Sequence, residues 1–292
     1  MTQPSDAPLR TPVMRRRTVL ALPALGLGSY ALAACSDEPS GTVGGVSTYV
    51  SPDASTERIG YGDDPSQWVD LRTPSGASRG LVVVLHGGFW KAQYGADYGD
   101  PLAEDLAGRG WTTANVEYRR VGDGGGFPET LDDVHAAIGA VADGATGPVV
   151  TLGHSAGGHL ATWAAARGRF DRWSGGPALT HVVSQAGVVD LRAAVRDHLG
   201  TDAALAFLGE PGETTYEHAD PMTQVPLDVP VWAVHARDDD VVPFTQSEDY
   251  VAAATRAGAE ATLVPVEGGH FGVIDTGSDA WAACVEVLDS IG

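Results

Sequence analysis

Ser155 lies in Gly153-His154-Ser155-Ala156-Gly157, which fits the G-x-S-x-G pattern of a nucleophile elbow. Both flanks suit that reading. Pro148-Val149-Val150-Thr151-Leu152 is a short β-branched run, as a buried strand would be. Gly158 to Ala166 is rich in helix formers. A sharp strand-to-helix turn would lift Ser155 Oγ clear of the backbone. Glycine at 153 and 157 has a steric reason, because a Cβ at either would crowd the strand and the helix. The turn also sets Ser155 at a helix N-terminus, where positive partial charge favours a developing oxyanion.

A serine hydroxyl is a poor nucleophile until a base takes its proton and a third group orients that base. His270 is the candidate base, in the Gly-rich loop Val266-Glu267-Gly268-Gly269-His270-Phe271-Gly272 expected just past a strand, and it is the only histidine after His235. The candidate acid lies in Asp238-Asp239-Asp240, after the run Pro230 to His235. Three adjacent carboxylates also suit a solvated turn, and the residues alone leave all three open. Acyl transfer further needs N–H donors for the oxyanion. Ala156, directly after the serine, supplies one. The segment His86-Gly87-Gly88-Phe89-Trp90 supplies the other, with Gly87 and Gly88 letting the backbone approach a substrate. His86 reads as a brace for that loop.

The elements that must carry these residues alternate strand-like and helix-like, which predicts an α/β fold with a mostly parallel sheet. Strands are expected at Gly80–Leu85, Trp111–Tyr118, Pro148–Leu152, His181–Gln185, Pro230–His235 and Ala261–Val266. Helices are expected within Pro101–Gly108 and at Pro128–Ala142, Gly158–Ala166, Thr245–Ala257 and Asp279–Ile291. Residues 190–229 hold several glycines and prolines and read as a small helical lid insertion. Every chemical residue then falls just after a strand.

His86-Gly87-Gly88-Phe89-Trp90, together with Gly153 to Ala161, resembles the kynurenine formamidase and hormone-sensitive-lipase-like branch of the α/β-hydrolases. Tyr118-Arg119-Arg120, Phe127-Pro128, Asp132-Asp133-Val134 and Tyr61-Gly62-Asp63-Asp64-Pro65 extend the resemblance from about Arg58 to the C-terminus. It is weakest in the lid. It implies a mainly parallel sheet of about eight strands and the chain order serine, acid, histidine. His235-Ala236-Arg237-Asp238-Asp239 is similar to the family's His-Gly-x-x-Asp pattern, with Ala236 where glycine is usual, and this alignment selects Asp239 as the acid. The implied triad is Ser155, Asp239 and His270, with Gly87, Gly88 and Ala156 at the oxyanion hole. Its chemistry requires no metal and no organic cofactor.

The N-terminal 34 residues read as a targeting segment. Arg15-Arg16-Arg17 precede an apolar run from Val19 to Ala34, and Arg16-Arg17-Thr18-Val19-Leu20 resembles a twin-arginine export signal. The alternatives are an ordinary secretory signal with a basic start and a transmembrane anchor, the latter disfavoured by a run of only 16 residues that holds Pro23, Gly26 and Gly28. Leu32-Ala33-Ala34-Cys35 resembles a bacterial lipobox, which would leave Cys35 as a lipidated N-terminus. Residues 35–46 are small and polar, as a flexible tether would be, and the hydrolase domain is expected over 47–292. The expected location is outside the cytoplasm, anchored by lipid to the outer face of the cytoplasmic membrane. Cys284 then stands alone as a buried apolar residue. The formal net charge of −20 argues against nucleic-acid binding and against charge-driven adhesion to anionic lipid.

The partner expected is a small-molecule ester or amide. Phe89, Trp90, Tyr94, Tyr98, Phe207 and Phe271 suit a small aromatic or short apolar acyl group if several line the cleft, with Tyr98 and Phe207 assigned to the core. A carboxylesterase agrees with export. An arylformamidase, a peptidase of the same fold and a non-catalytic surface-binding lipoprotein are the alternatives.

Overall fold

The structure, a computed structural model, describes residues 55–291. The expected signal segment, Cys35, the tether and residues 47–54 lie outside the described residues.

Eight strands form one sheet: β1 (Ser55–Gly60), β2 (Trp68–Thr73), β3 (Leu81–Leu85), β4 (Thr112–Glu117), β5 (Val149–His154), β6 (His181–Gln185), β7 (Val231–Ala236) and β8 (Ala261–Val266). Their spatial order is β1-β2-β4-β3-β5-β6-β7-β8. The β1–β2 and β2–β4 pairs are antiparallel, and all others are parallel. Helices follow as α1 (Asp100–Gly108), α2 (Glu129–Ala142), α3 (Ala156–Ala166), α4 (Leu191–Arg196), α5 (Leu199–Leu208), α6 (Glu213–Ala219), α7 (Thr245–Arg256), the single turn α8 (Gly269–Gly272) and α9 (Asp279–Ile291).

The central strand β3, Leu81-Val82-Val83-Val84-Leu85, is buried along its whole length. Its side chains alternate between two apolar layers, as a period of two requires. Leu81, Val83 and Leu85 pack with Leu131 of α2 and Leu160 of α3. Val82 and Val84 pack with Leu102 of α1 and Leu288 of α9 on the opposite face. Coverage on both faces is what a parallel sheet needs. It also leaves the carboxyl ends of β3, β5, β7 and β8 at one edge, where loops can meet.

The six expected strands are present. The sheet has the eight strands the resemblance implies; β1 and β2, the antiparallel pair, are the two that the local residue pattern does not mark, and for β1 the reason is physical. Ser55-Thr56-Glu57-Arg58-Ile59-Gly60 is an exposed edge strand with little apolar signal, held by pairing to β2 and by the Arg58–Asp70 ion pair at 2.7 Å. The stretch between β6 and β7 is helical as expected, comprising α4, α5, α6 and a 3₁₀ turn at Pro221–Gln224.

Candidate active site

β5 carries Ser155 to the carboxyl edge of the sheet. The residue has φ 57° and ψ −117°, a conformation L-residues rarely adopt, and α3 begins immediately after it. The turn is held from several sides. Ser155 N–H donates to the Gln185 carbonyl at 2.8 Å, and the Ser155 carbonyl accepts from Val188 N at 3.2 Å. A Cβ on Gly153 would lie 2.1 Å from the Gly157 carbonyl oxygen. A Cβ on Gly157 would lie 2.0 Å from that of Leu85. Both glycines are therefore required by strand–helix contact. Ala156, the first residue of α3, has no carbonyl one turn earlier in its own helix, so its N–H is available to a ligand.

Asp239 follows β7, and its side chain is fully buried. Oδ1 accepts from the N–H groups of Val241 and Val242, each at 2.8 Å. Oδ2 faces His270 Nδ1 at 2.7 Å and His235 Nε2 at 3.2 Å. His235 Nε2 also donates to the Val242 carbonyl at 3.0 Å, so it stands as an N–H toward the carboxylate. Burial works to raise the Asp239 pKa. The hydrogen bonds from His235 and His270 outweigh it and hold the carboxyl well below the usual range. Asp238 and Asp240 are exposed. Of the three carboxylates, Asp239 alone contacts the His270 ring.

His270 stands in α8, a one-turn helix just past β8, rather than in an irregular loop. Its ring is 4% exposed, with Nδ1 engaged by Asp239, which leaves Nε2 as the nitrogen available to Ser155. His154, the residue before the serine, donates from Nε2 to the His270 carbonyl at 2.9 Å. Burial pushes the His154 pKa down to about 3, so this ring is neutral. The link had no signal in the sequence beyond the variable position of G-x-S-x-G.

The third component follows β3. A Cβ on Gly87 would lie 2.8 Å from the His154 carbonyl oxygen, and Gly88 has φ 109°. Both positions need glycine for the loop to lie against the elbow. His86 contacts the Gly87 carbonyl at 2.8 Å and Glu117 at 3.2 Å, and its own carbonyl accepts from Tyr118 Oη at 2.7 Å. Trp90 is fully buried, donates from Nε1 to His159 Nδ1 at 3.2 Å and stacks on Phe207 at 4.8 Å.

Ser155, His154, His270, Gly87 and Gly88 meet at one cavity of about 250 Å³. Phe89, Tyr94, Tyr98, Val241 and Phe271 form its walls. The lining contains no acidic or basic side chain other than histidine. Phe207 is core, as expected, whereas Tyr98 is not. It is 43% exposed and lines the cavity, because the 3₁₀ turn Ala96–Tyr98 aims its ring at Tyr94, edge-on at 5.7 Å. No residue of 190–229 is among those lining the cavity, and Lys91 Nζ bonds the Gly200 carbonyl at 3.0 Å. Among the described residues, no group of His, Cys, Asp or Glu side chains is arranged to hold a metal ion.

The BD-FAE family model matches residues 69–253. The chain is 28% identical over 237 residues to a probable isoprenylcysteine alpha-carbonyl methylesterase from Oryza sativa subsp. japonica. That match covers 71% of this chain and 56% of the relative, so the chain spans little more than half the length of that protein. Among solved structures, an inhibitor-bound esterase B from Lactobacillus rhamnosis has a TM-score of 0.71 at 20% identity, over 83% of this chain and 87% of that one. A butyrate-bound esterase from Thermogutta terrifontis has a TM-score of 0.63 at 22% identity, over 80% and 92%. These likenesses carry the α/β-hydrolase fold.

Proposed function

Because the chain belongs to the BD-FAE family, we propose that it is a serine hydrolase that cleaves carboxylic esters of a small or aromatic acyl group. The observation that carries this reading is the convergence of Ser155, His270 and Gly88 on one cavity, with Asp239 2.7 Å behind the imidazole.

The chemistry follows from the atoms. Asp239 accepts the Nδ1 proton of His270 and so fixes the tautomer whose Nε2 carries a lone pair. Nε2 takes the Ser155 Oγ proton as Oγ attacks the ester carbonyl. The carbonyl oxygen becomes an oxyanion facing the N–H groups of Ala156 and of the Gly87–Gly88 loop. One such donor is typically worth about 3–4 kcal/mol in the transition state. Nε2 then gives its proton to the departing alcohol, leaving an acyl group on Ser155. Water, deprotonated by the same nitrogen, attacks that acyl group; Ser155 Oγ departs, takes the proton back from Nε2, and the acid is freed. Phe89, Tyr94, Tyr98 and Phe271 offer apolar surface to the acyl or alcohol portion.

Several relatives are named esterases, which supports ester over amide cleavage. Export and lipidation at Cys35 belong to the same proposal and rest on the sequence pattern alone. A formamidase acting on a cytosolic amide would not need that signal.

The deciding experiment is labelling with a fluorophosphonate probe beside hydrolysis of p-nitrophenyl acetate. Wild type should take one label and turn over ester, while Ser155→Ala should do neither. Persistent labelling of the variant would remove Ser155 as nucleophile. Fractionating bacteria that express Cys35→Ala should move the protein from membrane to soluble fraction; continued sedimentation with membrane would refute the anchor.

A further inference from the structure

Asp238 immediately precedes Asp239 and is exposed. Its Oδ1 accepts two backbone hydrogen bonds, from Gly268 N at 3.1 Å and Gly269 N at 3.0 Å. Two successive N–H groups converging on one anionic oxygen form a small anion nest. The two glycines have φ 120° and 63°, values open to glycine because it lacks a Cβ. The next residue is His270. Consecutive carboxylates therefore grip the base at two levels: Asp239 holds the imidazole, and Asp238 holds the peptides that carry it. His154 fixes the far side of the same residue through the His270 carbonyl.

We propose that Asp238 is a positioning residue for the base: by clamping the Gly268–Gly269 peptides to the acid turn, it sets how His270 presents Nε2 to Ser155. The proposal rests on the Ser155–His270–Asp239 reading above. A single bond at Nδ1 fixes the ring at one point only, and a ring so held still pivots with its backbone. Proton transfer is sensitive to such movement, since a misplacement of about 1 Å can cost about a hundredfold in rate. Both clamp bonds are exposed, so water can satisfy the freed N–H groups when the carboxylate is removed. Water replaces the bonding but not the geometry. Losing Asp238 should therefore slow catalysis far more than it weakens the fold.

The test is steady-state hydrolysis of p-nitrophenyl acetate by Asp238→Ala, Asp238→Asn and Asp240→Asn, with thermal unfolding of each. Asp238→Ala should lower kcat about tenfold or more with KM within about twofold, because His270 serves acylation and deacylation alike and both slow together. Asp238→Asn keeps an acceptor oxygen and should recover kcat to within about threefold of wild type. Asp240→Asn removes the same charge from the same turn and should match wild type. Equal kcat for Asp238→Ala and wild type overturns the clamp. So does an Asp238→Asn loss as deep as that of alanine, which would make charge rather than acceptor geometry the cause. Should alanine unfold the protein, Asp238→Leu, similar in size and without an acceptor oxygen, takes its place under the same criteria. Failure of the underlying reading looks different: wild type then neither turns over ester nor takes a fluorophosphonate label.

Discussion

Asp239→Asn tests the site most sharply, because the hydrogen-bond pattern leaves the amide no good orientation. With its oxygen at the Oδ1 position, asparagine keeps the bonds from Val241 N and Val242 N. Its NH₂ then stands where Oδ2 was, 2.7 Å from His270 Nδ1 and 3.2 Å from His235 Nε2. His235 cannot adapt, since its Nε2 proton also serves the Val242 carbonyl. His270 can adapt only by accepting at Nδ1, which moves its proton to Nε2 and removes the lone pair that must receive the Ser155 proton. Flipping the amide instead sets NH₂ against two backbone N–H groups. The flipped form would keep the productive tautomer, but three donors converging without an acceptor disfavour it, so the first orientation and its wrong tautomer prevail. A wrong tautomer with intact geometry costs about 10⁴ in kcat, or about 5 kcal/mol of transition-state stabilisation. The assay is p-nitrophenyl ester hydrolysis at saturating substrate, with thermal unfolding to confirm a folded variant. A folded Asp239→Asn protein that keeps more than about a tenth of wild-type kcat would refute the tautomer argument.

Two further predictions concern the frame. Gly157→Ala gains up to about 1 kcal/mol of helix propensity, yet its Cβ would lie 2.0 Å from the Leu85 carbonyl oxygen and 2.6 Å from that of His86. Overpacking against backbone should win, lowering the unfolding free energy by about 3 kcal/mol or more; denaturant melts matching wild type would contradict this. Asp220 is buried, and burial pushes its carboxyl up to about 6 despite bonds from Leu191 N, Met222 N and Arg192 N. Between its ordinary pKa of 3.8 and about 6 the folded state holds a proton that the unfolded chain has released. Stability from this group is therefore greatest in acid and falls by about 3 kcal/mol as pH rises through that window. Asp220→Asn should lose that slope, and parallel stability-versus-pH curves for the two proteins would disprove it.

Local patterns made most of the site readable. The elbow, the two glycines after β3 and the histidine after β8 each lie within a few residues of a strong apolar strand. The serine's position follows from sterics that two glycines announce. The choice of Asp239 over its neighbours needed the family pattern. In the structure the difference is that Asp239 turns inward onto Val241 N and Val242 N, while Asp238 turns toward Gly268 and Gly269. Contacts across at least 30 residues for the Asp238 bonds and 116 for the His154–His270 bond leave no mark on periodicity, which is why neither was legible. Tyr98 failed for a related reason. An aromatic after a loop reads as core or as wall only once the turn that aims it is known. The edge strand β1 escaped because pairing, rather than burial, holds it, and β2 offers only Val69 as a fully buried residue.

The backbone adds a constraint that no single motif expresses. Among the described non-glycine residues, positive φ occurs at Phe89, Trp90, Ser155, Ala186, His198, Thr201 and Asp202. The first four follow β3, β5 and β6 at the carboxyl edge of the sheet. The other three form a left-handed turn at the start of α5, where a Cβ on Gly200 would lie 2.4 Å from the Phe89 ring. Left-handed backbone costs of order 1–3 kcal/mol per non-glycine residue and persists only where its surroundings over-determine it. Here they do. Ser155 N–H is held by Gln185, Ala186 N–H by Val234, Trp90 by His159, and Lys91 by Gly200. The insertion between β6 and β7 thus meets Phe89 and Lys91, next to the loop that carries Gly87 and Gly88. If the Gly87–Gly88 loop donates to an oxyanion as proposed, a backbone held in this way is the condition under which its N–H groups would act without reorganising.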